Sequence, residues 1–239
     1  MPASLRAAEI IAELRSKANP ANVEGMARFG ISPEGTLGVS VPTLRRMAKK
    51  IRKDHALAQE LWSSGIHEAR MMAAFVDDPA SVTEAQMESW VKEFDSWDVC
   101  DQVCSNLFDA TPFAYSKAAL WSKRDEEFVK RAGFVLMAAL SVHDKKVDDK
   151  EFLRFLPIIK REAWDERNFV KKAVNWALRQ IGKRNLALNR AALAAAREIH
   201  KQGTRSARWI ASDAIRELSD ETVLRRLKDK QLRKMGKAK

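Results

Sequence analysis

The sequence contains one short segment twice, first as Phe128-Val129-Lys130-Arg131-Ala132 and again, 41 residues later, as Phe169-Val170-Lys171-Lys172-Ala173. Each copy follows an acidic turn and opens a long stretch in which apolar residues recur at helical spacing. The segments that begin at His67 and at Arg205 have a similar pattern in poorer register. A repeat of about 41 residues is typical of helix pairs that stack side by side.

Helical periodicity continues outward from this repeat to nearly both ends of the chain, and no stretch reads as a strand. We therefore predict an all-α fold, a HEAT-like helical-repeat solenoid that is curved and has a basic concave face. Residues 1–224 are expected to form one repeat domain, and residues 225–239 a basic C-terminal tail. The predicted helices are residues 4–17, 22–29, 41–52, 55–63, 67–76, 83–94, 97–108, 112–122, 126–142, 149–161, 167–182, 185–201, 204–218 and 220–232.

Positive charge is the strongest feature of the composition, with a formal net charge of +11. Between Arg225 and Lys239 there are eight Lys and Arg residues against Asp229 alone. Such a tail attracts polyanions, and nucleic acid, acidic proteins and anionic membranes all remain open as partners. No apolar run approaches the roughly 18 residues of a membrane span, and the N-terminus lacks a signal peptide. We expect a soluble, cytoplasmic protein, associated with the nucleoid if it is bacterial.

The two cysteines, Cys100 and Cys104, are four residues apart on a predicted helix. Cysteines at this spacing are usually small apolar packing residues, and no Cys/His set completes a zinc site. The four histidines are scattered along the chain. We expect neither a metal nor a cofactor.

The segment with the clearest chemical potential is Ser96-Trp97-Asp98-Val99-Cys100-Asp101. Ser96 is predicted to cap the N-terminus of a helix, so Asp98 falls in the first turn and Trp97 and Asp101 share one face. An indole face can hold a sugar, a base or a cation, and a nearby carboxylate can stabilise developing positive charge. The alternative is that Trp97 belongs to the core and both carboxylates are solvated helix residues.

Basic residues are predicted to lie on the second helices of the repeat pairs, namely Arg131, Lys172 and Arg179. Trp176 follows Lys172 by four residues and should lie on or beside the same face. These charges would collect on the concave side of the solenoid, although a charged helix face is often only solvated. Among the other tryptophans, Trp209 is ambiguous, and four are expected in the core or between repeats: Trp62, Trp90, Trp121 and Trp164.

At four places within roughly residues 26–215, the first of which consists of two segments, the sequence resembles the AlkD-like DNA alkylation repair glycosylases, which are built of HEAT-like repeats. Residues 26–29 (MARF) and 38–46 (GVSVPTLRR) resemble their N-terminal helix pair. Residues 96–101 (SWDVCD) are similar to their Trp-Asp-x-x-Asp segment, and residues 129–132 (VKRA) to the helix that carries their active-site Arg. Residues 169–179 (FVKKAVNWALR) are similar to the helix with their second active-site Trp.

The resemblance implies a monofunctional enzyme that hydrolyses the N-glycosidic bond of cationic alkylpurines, such as N3-alkyladenine and N7-alkylguanine, without a base-flipping pocket. It implies that Trp97 and Trp176 form a cleft against the deoxyribose, with Asp101 close to the anomeric carbon and Arg131 holding the backbone. The expected partner is double-stranded DNA with alkylated bases, bound by a monomer. The expected DNA-binding residues are Lys130, Lys171, Lys172, Arg179, Lys183, Arg205 and Arg208.

The chemistry of these residue types agrees with that role. An alkylated purine leaves as a neutral base, so no general acid is needed, and the sugar becomes an oxocarbenium-like cation. Indole faces and one carboxylate can stabilise that cation, and the carboxylate can also orient water. Asp98 is expected to be structural, and the glycine-rich residues 30–38 leave the substrate range open. The alternatives are a non-catalytic HEAT-repeat nucleic-acid-binding module and a protein scaffold.

Overall fold

The computed structural model describes residues 2–236, and the side chains of residues 2–233. Within this part of the chain there are fourteen α-helices, one short 3₁₀ helix (Phe108–Ala110) and no strand, so the all-α prediction is confirmed. No helix in the described range is both long enough and apolar enough to cross a membrane.

Every predicted helix is present, and most boundaries differ from the predicted ones by one or two residues. The largest differences, of four residues, are at the ends of the third and last helices. The helices are α1 Ala3–Ser16, α2 Pro20–Ala27, α3 Val41–Ala48, α4 His55–Ser63, α5 His67–Val76, α6 Glu84–Lys92, α7 Trp97–Asn106, α8 Ala114–Trp121, α9 Glu127–His143, α10 Asp149–Glu162, α11 Asn168–Gly182, α12 Leu186–His200, α13 Arg205–Leu218 and α14 Glu221–Gly236.

The chain forms two compact units, Met1–Phe113 and Ala114–Lys239. The predicted division into a repeat domain (1–224) and a basic tail (225–239) stays a prediction. Most of that tail belongs to helix α14, and residues 237–239 lie outside the described residues.

The first unit is packed around helix α5, which contacts α3, α4 and α7. Eight of its ten residues are buried, because neighbouring helices cover it on several sides. Beside it, the indoles of Trp62 and Trp90 stack with ring centroids 4.0 Å apart. Cys100 and Cys104 are buried free thiols in α7, as predicted for packing residues.

A buried carboxylate fixes the glycine-rich loop at residues 30–38. Glu68 accepts hydrogen bonds from the backbone N–H groups of Leu37 (2.9 Å), Gly38 (2.7 Å) and Val39 (3.1 Å). Gly38 has φ +78°, and a Cβ there would lie only 2.3 Å from the carbonyl oxygen of Asn19. Only glycine therefore fits where the loop passes α2, and the loop has one defined position against α2 and α5.

Replacing this carboxylate by an amide should destabilise the first unit. In Glu68→Gln an N–H₂ group must face backbone N–H donors, so we expect the free energy of unfolding to fall by about 2–3 kcal/mol in urea titrations. Glu60→Gln, at an exposed position on α4, is the control and should change it by less than about 0.5 kcal/mol. Equal stability of the two variants would show that Glu68 does not hold the loop.

The second unit contains the repeat. Helices pair as α8 with α9, α10 with α11 and α12 with α13, and the second helices begin at Glu127, Asn168 and Arg205, which are 41 and 37 residues apart. Helix α9 is buried continuously over residues 129–141, since it packs on both α8 and α11. The repeated segment therefore opens equivalent helices, as the sequence predicts.

Equivalent lysines of the two copies each lie over an indole. The Nζ of Lys130 is 5.5 Å from the ring centroid of Trp164, and the Nζ of Lys171 is 5.7 Å from that of Trp209. Trp164 was expected in the core or between repeats. It is 54% exposed and so does not lie in the core, while its contact with Lys130 joins two successive helix pairs. Its ring instead covers a buried ammonium group from the outside.

Candidate functional site

The first unit contains an open groove of about 590 Å³ formed by α2, the loop at residues 30–38, and the starts of α3, α5 and α7. Its walls are mainly apolar, and Phe29 is 73% exposed at its edge. A large exposed aromatic beside an apolar groove is a feature of binding surfaces. The apolar lining consists of Ala21, Met26, Phe29, Ile31, Val39, Val41, Met71 and Trp97.

Trp97 is the first residue of α7 and forms part of this groove. Its indole Nε1–H donates to the carbonyl oxygen of Phe29 at 3.0 Å, and the side chain is half-buried. The alternative in which Trp97 belongs to the core is therefore excluded. Asp101 lies one turn further along α7, is also half-buried, and is not part of the groove lining.

Ser96 occupies the predicted N-cap position, but its side chain does not cap α7. Its hydroxyl accepts from the backbone N–H of Ser32 at 3.3 Å and donates to Asp95 Oδ1 at 3.2 Å. Ser96 therefore ties the start of α7, and with it Trp97, to the loop at residues 30–38.

Asp98 forms a buried pair with His67 at the groove. The Oδ2 of Asp98 is 2.9 Å from His67 Nε2, and its Oδ1 accepts the backbone N–H of Val99 at 3.0 Å. The second contact satisfies an amide of the first turn, as expected for a structural Asp98. The pairing with His67 was missed from the sequence, because the two residues are 31 positions apart and no local pattern marks the contact.

The environment of His67 favours its charged form. Burial on its own disfavours an imidazolium, but the hydrogen bond and negative charge of Asp98 outweigh it, and Glu68 and Asp95 add to them. The pKa of His67 is thereby raised above its usual value of 6.5. The pairing with Asp98 thus favours the imidazolium form of His67 at the groove.

This pair predicts a specific dependence of stability on pH. Because the folded pKa of His67 lies above its unfolded value, its contribution to stability is complete below about pH 6.5 and is lost as the pH rises through the folded pKa. We expect Tm to fall across this window in the wild type and to fall less in His67→Asn. His200→Asn, at an exposed position, should keep the wild-type profile. Parallel profiles for all three proteins would contradict the role of the pair.

In the second unit, Trp176 is half-buried on α11. Arg179, one turn further on, pairs with Glu217 (2.6 Å) and Asp213 (3.2 Å) of α13. Lys183 pairs with the same Glu217 at 2.6 Å. Both cations therefore have carboxylate partners within the protein, and their predicted contacts with DNA stay a prediction.

Two predicted site residues of α9 are buried. Lys130 is 4% exposed, and its Nζ lies 2.9 Å from Glu162 Oε2 and 3.3 Å from Asp165 Oδ2. These ion pairs give Lys130 a structural role, and its predicted contact with DNA stays a prediction. Arg131 is 5% exposed and donates from Nη1 to the carbonyl oxygen of Phe169 at 2.6 Å. Its predicted contact with the DNA backbone stays a prediction, limited to the small exposed edge of its side chain.

The other predicted DNA-binding residues are accessible. Lys172, Arg205 and Arg208 are exposed, and Lys171 is half-buried against the indole of Trp209. Lys172, Arg205 and Arg208 have no ion-pair or hydrogen-bond partner for their side chains in the described part of the chain. These three cations are therefore the ones best placed to attract phosphates.

Comparison with known proteins assigns the chain to a protein family. Residues 10–218 match the family described as DNA alkylation repair enzyme. The fold is similar to that of a solved structure described as "A new family of proteins related to the HEAT-like repeat DNA glycosylases with affinity for branched DNA structures", with 21% sequence identity and a TM-score of 0.71. The similarity covers 80% of this chain and 81% of that one, and it supports the HEAT-like fold. No curated protein matches the chain.

Proposed function

The chain belongs to the DNA alkylation repair enzyme family, and we propose that it is a monofunctional DNA glycosylase for cationic alkylpurines such as N3-alkyladenine and N7-alkylguanine in duplex DNA. The observation that carries this proposal is the arrangement on α7. Trp97 is held at an open groove by its own N–H, and the Asp101 carboxylate follows one helical turn later. Neither side chain is enclosed in the core.

The proposed reaction places little demand on proton transfer. The N-glycosidic bond breaks with its electron pair going to a purine that already carries positive charge, so the base departs neutral. The sugar is left as an oxocarbenium-like cation. In this proposal Asp101 stabilises the cation and orients the water that attacks it, while the indole face of Trp97 contacts the sugar. The role of Trp176, which lies in the second unit, stays a prediction from the sequence.

The remaining residues act by positioning. The His67–Asp98 pair and Ser96 hold the first turn of α7, which fixes the orientation of Trp97. Lys172, Arg205 and Arg208 would contact phosphates and hold the duplex without reading its sequence. We propose that the protein is a monomer and that it is cytoplasmic, associated with the nucleoid if the source is bacterial.

The direct test is release of free base. Duplex DNA methylated at N7 of guanine and N3 of adenine is incubated with the protein, and the liberated bases are separated and quantified by chromatography. We expect protein-dependent release of both bases with the sugar–phosphate backbone left intact, because a monofunctional enzyme does not cut the strand. Backbone cleavage in step with base release would contradict the monofunctional assignment.

A second candidate function is binding without chemistry. The similar solved structure is described as having affinity for branched DNA structures, which points to a binding role for this kind of scaffold. A protein of this second type would bind a four-way junction more tightly than a duplex and release no base from methylated DNA. That pair of results would replace the glycosylase proposal.

A further inference from the structure

The second unit has a basic cleft of about 430 Å³, formed by the last turn of α9 and the residues after it, the end of α11, and α14. We call it the C-terminal cleft. Six basic side chains line it against one carboxylate, that of Asp229. The six are Lys145, Lys183, Arg184, Arg226, Lys230 and Arg233.

Helix α14 is docked on the unit and forms one wall of the cleft. Leu227 is 2% exposed, and Lys230 donates from Nζ to the carbonyl oxygen of Arg184 at 2.8 Å. Arg226, Lys230 and Arg233 follow one another at spacings of four and three residues, so they share one face of the helix. The fold therefore gathers these charges at one place.

Half of the basic residues have partners within the protein. Arg184 donates to the carbonyl oxygens of Ser141 and Val147, both at 3.2 Å, and Lys183 pairs with Glu217. The contact with Ser141 satisfies a carbonyl group in the last turn of α9, and all of these contacts are a structural use of positive charge. Together with the bond from Lys230, they account for three of the six cations.

The other three have no such explanation. Lys145, Arg226 and Arg233 are exposed at the cleft, and within the described residues their side chains have no hydrogen-bond or ion-pair partner. Like charges held together around a concave surface repel one another and raise the local concentration of anions. Arginine in particular can bind a phosphate through two parallel N–H···O bonds.

We propose that the C-terminal cleft binds backbone phosphates of DNA, separately from the residues proposed to act on the lesion. The proposal rests on the proposed DNA binding of the chain, and it does not require that the chain cleave a base. Arg226 and Arg233 are seven residues apart, which is about 10 Å along a helix axis, so the row is longer than one phosphate group. An extended row of cations suits consecutive phosphates of a strand better than a single small anion.

Salt dependence of binding tests the cleft. In Arg226→Gln/Arg233→Gln, affinity for an undamaged duplex should fall at low salt, and the slope of log K against log salt should become shallower by about 0.9 for each lost phosphate contact. Affinity is measured by fluorescence anisotropy over a salt series. Both substituted residues are exposed, and circular dichroism with thermal melting checks that the fold is kept.

The matched control is Arg190→Gln/Arg197→Gln. These arginines are exposed on α12, have the same spacing of seven residues, and do not line the C-terminal cleft. The control has the same net charge as the cleft variant, so it should keep the wild-type slope. An equal change in both variants would show diffuse attraction and overturn the proposal, as would an unchanged slope in the cleft variant.

Base release separates this proposal from the proposed function. If the cleft variant loses salt-dependent affinity while the wild type releases no base from methylated DNA, the cleft stands and the glycosylase proposal fails. If the wild type releases base and the cleft variant binds the duplex with the wild-type slope, only the cleft proposal fails. The cleft variant can also be tested on anionic lipid vesicles. If that variant no longer binds the vesicles but keeps the wild-type salt dependence of DNA binding, the cleft proposal is overturned in favour of a membrane surface.

Discussion

Asp101→Asn is expected to lower the rate of base release by about 10²–10³-fold while duplex affinity stays close to that of the wild type. Asparagine keeps the size of the side chain and removes its negative charge. Because the alkylated base leaves neutral, the charge is needed only when the sugar becomes a cation, so the loss should appear in the chemical step. Single-turnover release of N7-methylguanine measures that step, and anisotropy measures affinity.

Two neighbouring carboxylates provide the controls for this experiment. Asp95→Asn removes an exposed charge just before α7 and should change the rate by only a few-fold. Asp98→Asn breaks the pair with His67, so it should lower Tm rather than abolish the chemistry. If Asp101→Asn unfolds or no longer binds duplex, Asp101 is structural. If Asp95→Asn slows base release as much as Asp101→Asn does, the rate depends on the total negative charge near α7, and Asp101 has no catalytic role of its own.

The largest effect on stability is expected from Lys130→Met. The Nζ of Lys130 is buried with the carboxylates of Glu162 and Asp165. After its removal Glu162 keeps Arg161 and Asp165 keeps Arg167 as partners, but both lose the buried ammonium group. Breaking a buried ion pair in this way costs about 3–5 kcal/mol of the free energy of unfolding. The loss should be measured by urea or thermal unfolding near neutral pH.

The repeat supplies a matched control for this variant. Lys171→Met changes the equivalent residue of the next copy, which lies over an indole but has no carboxylate partner in the described part of the chain, and should cost less than about 1 kcal/mol.

A second check measures the stability of both proteins at acidic pH. Hydrogen bonds and charge from Arg167, with the charge of Lys130, outweigh burial and hold the pKa of Asp165 below its usual range.

Acid should therefore reduce the difference between wild type and Lys130→Met. A carboxylate with a lowered folded pKa stabilises the protein above its unfolded pKa, and that stabilisation is lost as the pH falls through the folded value. The wild type loses it below about pH 4, as Asp165 becomes protonated. A difference that stays constant well below that pH would contradict the electrostatic explanation.

Helix positions were predictable from the sequence because helical periodicity and helix punctuation are local properties. His67–Val76 and His55–Ser63 were predicted to the residue, and the repeated segment located α9 and α11. The position of Trp164 was predictable only in part. A large apolar ring was expected in the core or between repeats, and its exposed place over the ammonium group of Lys130 depends on how successive helix pairs pack.

The contacts that build the groove were not predictable in the same way. Glu68 reaches backbone amides about 30 residues earlier in the chain, and His67 meets Asp98 as far away in the other direction. Such pairings depend on which helices pack together, and no spacing rule in a single sequence reveals them. The residue type gave the possible chemistry of Asp98, but only the fold gave its partner.

The two copies of the repeated segment, residues 128–132 and 169–173, are buried to different extents, which has a consequence for protein engineering. Averaging repeats into a consensus is a common way to design stable solenoid proteins, and it treats aligned positions as interchangeable. Here Arg131 and Lys172 align, yet one lies inside a covered helix and the other is in water. A consensus that writes the same residue at both would be harmless in the later copy and disruptive in the earlier one. Each copy has to be designed in its own surroundings.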